Sequence, residues 1–198
     1  MKLYYTPGAC SLSPHIVAEE AGVALDLKKV DLKAHKLEDG SDYYAVNPKG
    51  AVPALVLDDA RLLTEGPAIV QYIADLKPES GLAPKAGSFE RYKLQEWLTY
   101  INGEIHKTFT PLFRGAEGDA RKQTIETLEK KFAFVEKALQ GNAFLLGNSF
   151  SAADAYFFVM LFWATRLHIP VTPALKAWFD KVAARPKVRA AMAAEGLA

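Results

Sequence analysis

Between Lys77 and Gly87 the sequence places Pro78, Gly81, Pro84 and Gly87 in one short stretch, and the apolar pattern on its two sides differs in kind. Prolines and glycines at this density interrupt helices and strands alike. Before the stretch, apolar residues come in short runs bounded by turn residues. Residues 3–5 read as a strand, 13–21 as a helix with Pro14 in its first turn and Gly22 at its end, and 25–32 as a second strand. A polar segment with a short helix near 41–46 follows. Residues 53–57 and 61–63 then form two strands joined at Asp58 and Asp59, and 66–76 form a helix. After the stretch the spacing turns helical: Leu94, Trp97, Leu98, Ile101, Ile105, Phe109 and Leu112 recur every three to four residues, as do Ile125, Leu128, Phe132, Val135 and Leu139.

A βαβ unit followed by ββα makes a small mixed sheet with helices on its faces. The expected fold class is therefore α/β plus all-α: a thioredoxin-like domain over 1–77, a linker at 78–87, and an all-helical domain over 88–198. Within the latter, Ser151 and Asp154 form a capping-box variant opening a helix over 152–167 that is apolar nearly all round and so central to the bundle. Tyr156, Phe157, Phe158, Phe162 and Trp163 read as its core, and Asp154 as a helix-start carboxylate.

The formal charge of +1, with half the residues hydrophobic and a quarter charged, argues against disorder and against an electrostatic grip on nucleic acid or an anionic membrane. The opening residues lack the apolar core of a signal peptide, and the longest apolar run, 155–164, is too short to cross a bilayer. A soluble cytoplasmic protein is expected. The four histidines and one cysteine show no metal-ligand spacing.

That cysteine, Cys10, lies between the first strand and the first turn of the first helix. Unpaired amides and the positive end of the helix dipole favour a thiolate there, although a free cysteine is commonly a small buried hydrophobe. Lowering a thiol pKa by ~2 units requires about 2.7 kcal/mol, whereas a helix terminus supplies ~0.3–1 kcal/mol. Further donors are needed; His106 is the first candidate, on the inner face of a helix with Ile105 and Phe109, and Ser11 the second. With Ser13 at the second position of Cys10-Ser11-Leu12-Ser13, no resolving thiol exists in the chain. Val52 precedes Pro53, which pushes it into an extended conformation, and a cis bond there would turn its backbone edge outward for an extended peptide. Glu65 and Gly66 open the next helix, where amides can hold a carboxylate while the Glu65 side chain faces out as an anion. Thiol, peptide edge and amino-acid clamp together suit a short cysteine-containing peptide. His15 and His168 read as structural.

At these residues the sequence closely resembles the cytosolic glutathione transferases, in particular the bacterial beta class. The resemblance spans the chain: Lys2 to Tyr5, Pro7 to Ile16, Asn47 to Gly50 with Val52 and Pro53, Leu63 to Gly66, Ala68 to Tyr72, His106 with Lys107, and Ala153 to Tyr156. It implies conjugation of glutathione to electrophilic, xenobiotic substrates, glutathione as co-substrate without a further cofactor, a homodimer, and a mixed disulfide between Cys10 and glutathione that would add thiol transferase activity. Cys10 and His106 are implied as catalytic, and Cys10, His35, Val52, Glu65, Gly66, Thr99, Gly103 and His106 as glutathione contacts. Family members commonly carry lysine at position 35 and asparagine at 99. Lysine holds a carboxylate at any physiological pH, whereas histidine is a residue type that titrates near neutrality. Other classes use an N-terminal tyrosine to hold the glutathione sulfur, a role the cysteine motif takes from Tyr4 and Tyr5. The alternatives are a non-catalytic binding or regulatory protein on the same fold, or a glutathione-dependent dehalogenase or isomerase; Gly8 and Ala9 stand where related isomerases carry two serines.

Overall fold

The computed structural model describes residues 1–197. Its first compact unit comprises Met1–Ala83 together with residues from Ala184 onward, and its second is Pro84–Ala183. The C-terminal segment, assigned by its helical spacing to the all-helical part, thus groups with the first unit.

In the first unit β1 (Lys2–Tyr5), β2 (Asp26–Asp31), β3 (Lys36–Leu37), β4 (Ala54–Val56) and β5 (Leu62–Thr64) form a sheet of order β3-β2-β1-β4-β5. β1 runs parallel to β2, and the other neighbours are antiparallel. The order βαβ then ββα holds, with β3 as a two-residue addition beyond the expected strands. Side chains alternate across β1: Leu3 pairs with Leu55 in the fully buried layer, while Tyr4, opposite Ala54, packs with Val30, Tyr43 and Val52 in a second cluster. α1 (Leu12–Ala21) packs against α2 (Gly66–Asp75), and Ile16, Ile69 and Ile73 are completely buried. α1 ends at Gly22, whose φ of 70° lets its amide reach the Ala18 and Glu19 carbonyls.

α8 (Pro186–Ala194) packs on α1. Arg185 clasps Glu20 with two hydrogen bonds of 2.7 Å. The carboxylate of Glu195, with no exposed side-chain surface, meets His15 Nδ1 at 2.9 Å and accepts the Gly8 amide at 2.9 Å. This pairing accounts for His15 as a structural histidine.

The second unit contains α3 (Phe89–Tyr100), α4 (Thr110–Phe113), α5 (Gly118–Leu139), α6 (Ala152–Arg166) and α7 (Pro173–Ala183). Ala152 through Ala164 are all buried, so α6 is the bundle's centre. At its start the Asp154 carboxylate accepts hydrogen bonds from the Leu145 amide, the Ser151 amide and the Ser151 hydroxyl. Burial nevertheless pushes its carboxyl up to about 6. The periodic run from Leu94 to Leu112 is not one α-helix. Residues Ile101–His106 form a π-helical segment between α3 and α4, where Asn102 and Gly103, two poor helix formers, loosen the regular turn. Ile101, Ile105 and Phe109 stay fully buried through it.

Candidate functional site

β1 delivers the chain into a tight loop before α1. Ala9 donates its amide to the Thr6 carbonyl at 3.0 Å, the Thr6 hydroxyl donates to the Val30 carbonyl, and Gly8 takes a φ of 69°. Cys10 follows, and its Sγ donates to the Val52 carbonyl at 3.2 Å. The Val52–Pro53 peptide is cis. The preceding Ala51 carbonyl is held by the Tyr43 hydroxyl at 2.8 Å and by Nδ2 of buried Asn47 at 2.7 Å. The segment from Asn47 to Gly50 is therefore the brace that presents Val52. The backbone edge expected to lie open has its carbonyl engaged by the thiol.

Cys10 differs from the expected thiolate. Burial pushes its pKa up to about 12; the amides of Cys10 and Ser11 pull it down, as a helix start should, and the nearby Glu65 charge adds to the rise. Loss of hydration outweighs the local dipoles. The residue keeps partial solvent contact, which moderates the effect without reversing its sign. Ser11 does not assist, since its hydroxyl donates to the Thr6 carbonyl and accepts the Thr6 amide. Tyr5 is no substitute anion: burial and the charges of Glu195 and Glu38 raise its pKa as well.

Glu65 precedes α2 with a φ of 70°, a region costing a non-glycine residue about 1–3 kcal/mol. Its exposed carboxylate meets Lys49 Nζ at 2.6 Å, and the same ammonium donates to Thr64 Oγ1. An exposed pair of this kind is worth roughly 0–1 kcal/mol, so a ligand's ammonium can replace Lys49 at little cost. Pro67 supplies no amide, which leaves Gly66 as the donor at the first turn.

His35 also adopts positive φ, 50°, with its ring centroid 4.5 Å from that of Tyr44. Gly50 makes this stack fit: a Cβ there would lie 2.6 Å from Tyr44 Cε1 and 3.1 Å from His35 Cε1. His35 Nδ1 is buried without a hydrogen-bond partner among the described residues. In the first unit, then, Cys10 and Val52 touch, Glu65 acts on Cys10 electrostatically, and His35 stands on the Tyr44–Gly50 brace.

The remaining three residues belong to the helical unit. Thr99 is exposed on α3, and Gly103 lies in the π-helical segment with open space where a side chain would project. His106 closes that segment. Its Nδ1 lies 2.7 Å from the Tyr156 hydroxyl, which donates to Asn102 Oδ1 at 2.8 Å. The Trp163 ring meets the imidazole edge-on at 4.8 Å. Burial, reinforced by the Lys107 charge, lowers the His106 pKa to about 4. His106 is therefore a neutral imidazole at neutral pH. The sequence reading took Tyr156 for core, because a tyrosine inside an apolar helix looks like packing, and did not single out Asn102.

Sequence comparison gives this geometry its context. Residues 8–76 match the family pattern described as glutathione S-transferase, N-terminal domain, and residues 100–186 the one described as glutathione S-transferase, C-terminal domain. The chain is 48% identical to the glutathione S-transferase GstA of Escherichia coli O157:H7 over the full length of both. The chain belongs to the glutathione S-transferase family. A glutathione S-transferase of Xanthomonas campestris is 37% identical, again over both full lengths. Among solved structures, the ternary complex of the bacterial transferase BphK superposes with a TM-score of 0.96 at 50% identity, with both chains fully covered. A sphingomonad glutathione S-transferase complexed with glutathione gives 0.94 at 48% identity, also with full coverage of both. Among the described residues no group of three or more acidic, histidine or cysteine side chains is arranged to hold a metal ion, and no helix is long and apolar enough to cross a membrane.

The state of Cys10 is directly testable. The thiolate is the species that alkylates, so a pKa near 12 rather than ~8.5 leaves the native protein about a thousandfold less reactive to iodoacetamide at pH 7.5 than a free thiol. The rate should keep climbing with pH beyond the point where a free thiol levels off, and unfolding in urea should restore ordinary reactivity. Rapid native labelling that is flat above pH 8 would mean an already ionised sulfur.

Proposed function

We propose that this chain is a glutathione transferase that joins the sulfur of glutathione to small electrophilic substrates. The observation that carries the proposal is the triplet of Cys10, the Val52 edge and the Glu65–Gly66 helix start within one unit of a glutathione S-transferase family member. In this reading Val52 pairs with the cysteinyl backbone of glutathione. Gly66 and Glu65 take the carboxylate and ammonium of its γ-glutamyl end, and His35 serves the glycine carboxylate. Thr99, Gly103 and His106 are assigned to the same ligand on family membership.

The nucleophile is glutathione's own sulfur, with Cys10 a protonated neighbour. Thiol transfer is a second, slower activity: the Cys10 thiolate attacks oxidised glutathione, forming a protein–glutathione disulfide and releasing one glutathione thiolate, and external glutathione restores Cys10 by the reverse exchange. The partial solvent contact of Cys10 supports it, and a reducing cytoplasm supplies the thiol. The protein should be retained on immobilised glutathione and conjugate a model aryl halide. Cys10→Ala should keep conjugation while losing the reducible adduct seen by intact mass after exposure to oxidised glutathione. Absence of both binding and conjugation would instead favour a non-catalytic member of the family.

His35 is the departure that distinguishes this chain at the glycine end. His35→Lys should lower the KM for glutathione more at pH 8 than at pH 6 and leave kcat nearly unchanged. Equal changes at both pH values would detach His35 from the carboxylate.

The chain is also proposed to act as a homodimer. Phe89 and Tyr92 on α3 and Phe134 on α5 are exposed, and the Phe134 ring lies 5.0 Å from Tyr100 and 6.0 Å from Trp97, joining the two helices in one aromatic surface. Exposed aromatic area of this extent favours association. Sedimentation equilibrium should give twice the chain mass, and Phe134→Ser should weaken the dimer; a monomer at micromolar concentration would remove this part of the proposal.

A further inference from the structure

Tyr156 has one hydroxyl proton, within reach of both Asn102 Oδ1 and His106 Nδ1. It donates to Asn102 Oδ1 at 2.8 Å, an oxygen that can only accept. The contact of 2.7 Å between the same hydroxyl and His106 Nδ1 must then run the other way, with Nδ1–H donating to Oη. We infer that Asn102 and Tyr156 form a relay that fixes His106 as the Nδ1–H tautomer, leaving Nε2 with a lone pair, and that Tyr156 is thereby a positioning residue for the reaction.

Packing makes the assignment firm. Tyr156 is 1% exposed, and its ring meets the imidazole at 89° with centroids 6.0 Å apart. Trp163, two turns further along the same face of α6, meets the imidazole at 75°. Asn102 and His106 sit on successive turns of the π-helical segment, whose wider winding brings both to the one hydroxyl. In a regular α-helix, residues four apart also share a face, but the extra width here gives room for a hydroxyl between the two side chains.

The tautomer decides what His106 can do. Its only N–H is committed to Tyr156, so the imidazole has no donor left for a thiolate. It can accept from a thiol: Nε2 receives the S–H proton in a hydrogen bond, the sulfur gains electron density, and no charge is created on the ring. Burial that resists the imidazolium form favours such acceptance over complete proton transfer. This role rests on the function proposed above, while the relay itself does not.

The test reads the tautomer without substrate. In protein labelled with nitrogen-15 at histidine, the signals absent from His106→Gln identify His106, and the two ring nitrogens of a neutral imidazole resonate far apart according to which is protonated. Wild type should show a protonated Nδ1 and an unprotonated Nε2 at pH 7. Tyr156→Phe should move the population towards Nε2–H, and Asn102→Ala, which frees the tyrosine proton, should do the same with the hydroxyl still present. With both variants folded by circular dichroism, kcat for conjugation should fall about a hundredfold, the lower end of the range for a positioned proton-accepting group, with a smaller change in the KM for glutathione. A protonated Nε2 in wild type, which would follow if Asn102 presented its amide NH2 to the tyrosine, overturns the inference. So does an unchanged tautomer in both variants. Loss of conjugation in every form, wild type included, would count against the proposed function alone, because the resonance readout needs no turnover.

Discussion

β1 is the constraint on which the first unit depends. It is flanked by a parallel strand on one side and an antiparallel one on the other, and both of its ends are therefore fixed. The register that sets Tyr4 opposite Ala54 places the cis Val52–Pro53 peptide beside the loop leaving β1, and hence beside Cys10. Shifting β4 by one residue would send Leu55 out of its layer and carry the Val52 carbonyl away from the thiol. The sheet register and the chemistry of the site are one decision. The Tyr43 and Asn47 bonds to Ala51 then hold the peptide where the register puts it.

At Cys10 two effects of known sign compete, and their sizes settle the outcome. The amides of Cys10 and Ser11 favour the anion, as expected of a helix start. Desolvation opposes it and is larger, since shifts of up to several units attend full burial while a helix end gives ~0.3–1 kcal/mol. The thiol is thus kept protonated, and its proton is donated to the Val52 carbonyl.

Much of this was legible in the chain. The change of apolar spacing across the segment from Lys77 to Gly87 separates sheet from bundle, and short motifs placed Cys10 before the first helix, Val52 before the strand that Pro53 introduces, and Glu65 at a helix start, as the structure has them. What escaped has a common physical character. β3 is two residues long and carries no alternation to detect. The π-helical segment preserves the four-residue spacing of Ile101, Ile105 and Phe109, so periodicity reads through it as regular helix. The sign of the Cys10 shift depends on how much protein surrounds the sulfur, a property of the packed unit that no neighbouring residue encodes.

The deepest gap lay in sequence distance. Glu195 meets His15 and Gly8 across separations of 180 and 187 residues, and helical spacing near the C-terminus gives no hint that the chain returns there to the first helix and the loop before it. Yet the consequence is local to the site. A buried carboxylate that lost either partner would cost about 1–3 kcal/mol, so the Gly8 amide is held as firmly as the C-terminal segment is docked. Arg185 on Glu20 secures the same segment to the far end of α1. The loop carrying Cys10 is therefore braced from three directions: by Val30 through Thr6, by Val52 through the thiol, and by the end of the chain through Glu195. Two of these braces come from backbone that β1 orders directly, and the third lets the last helix set the position of a thiol near the beginning of the chain.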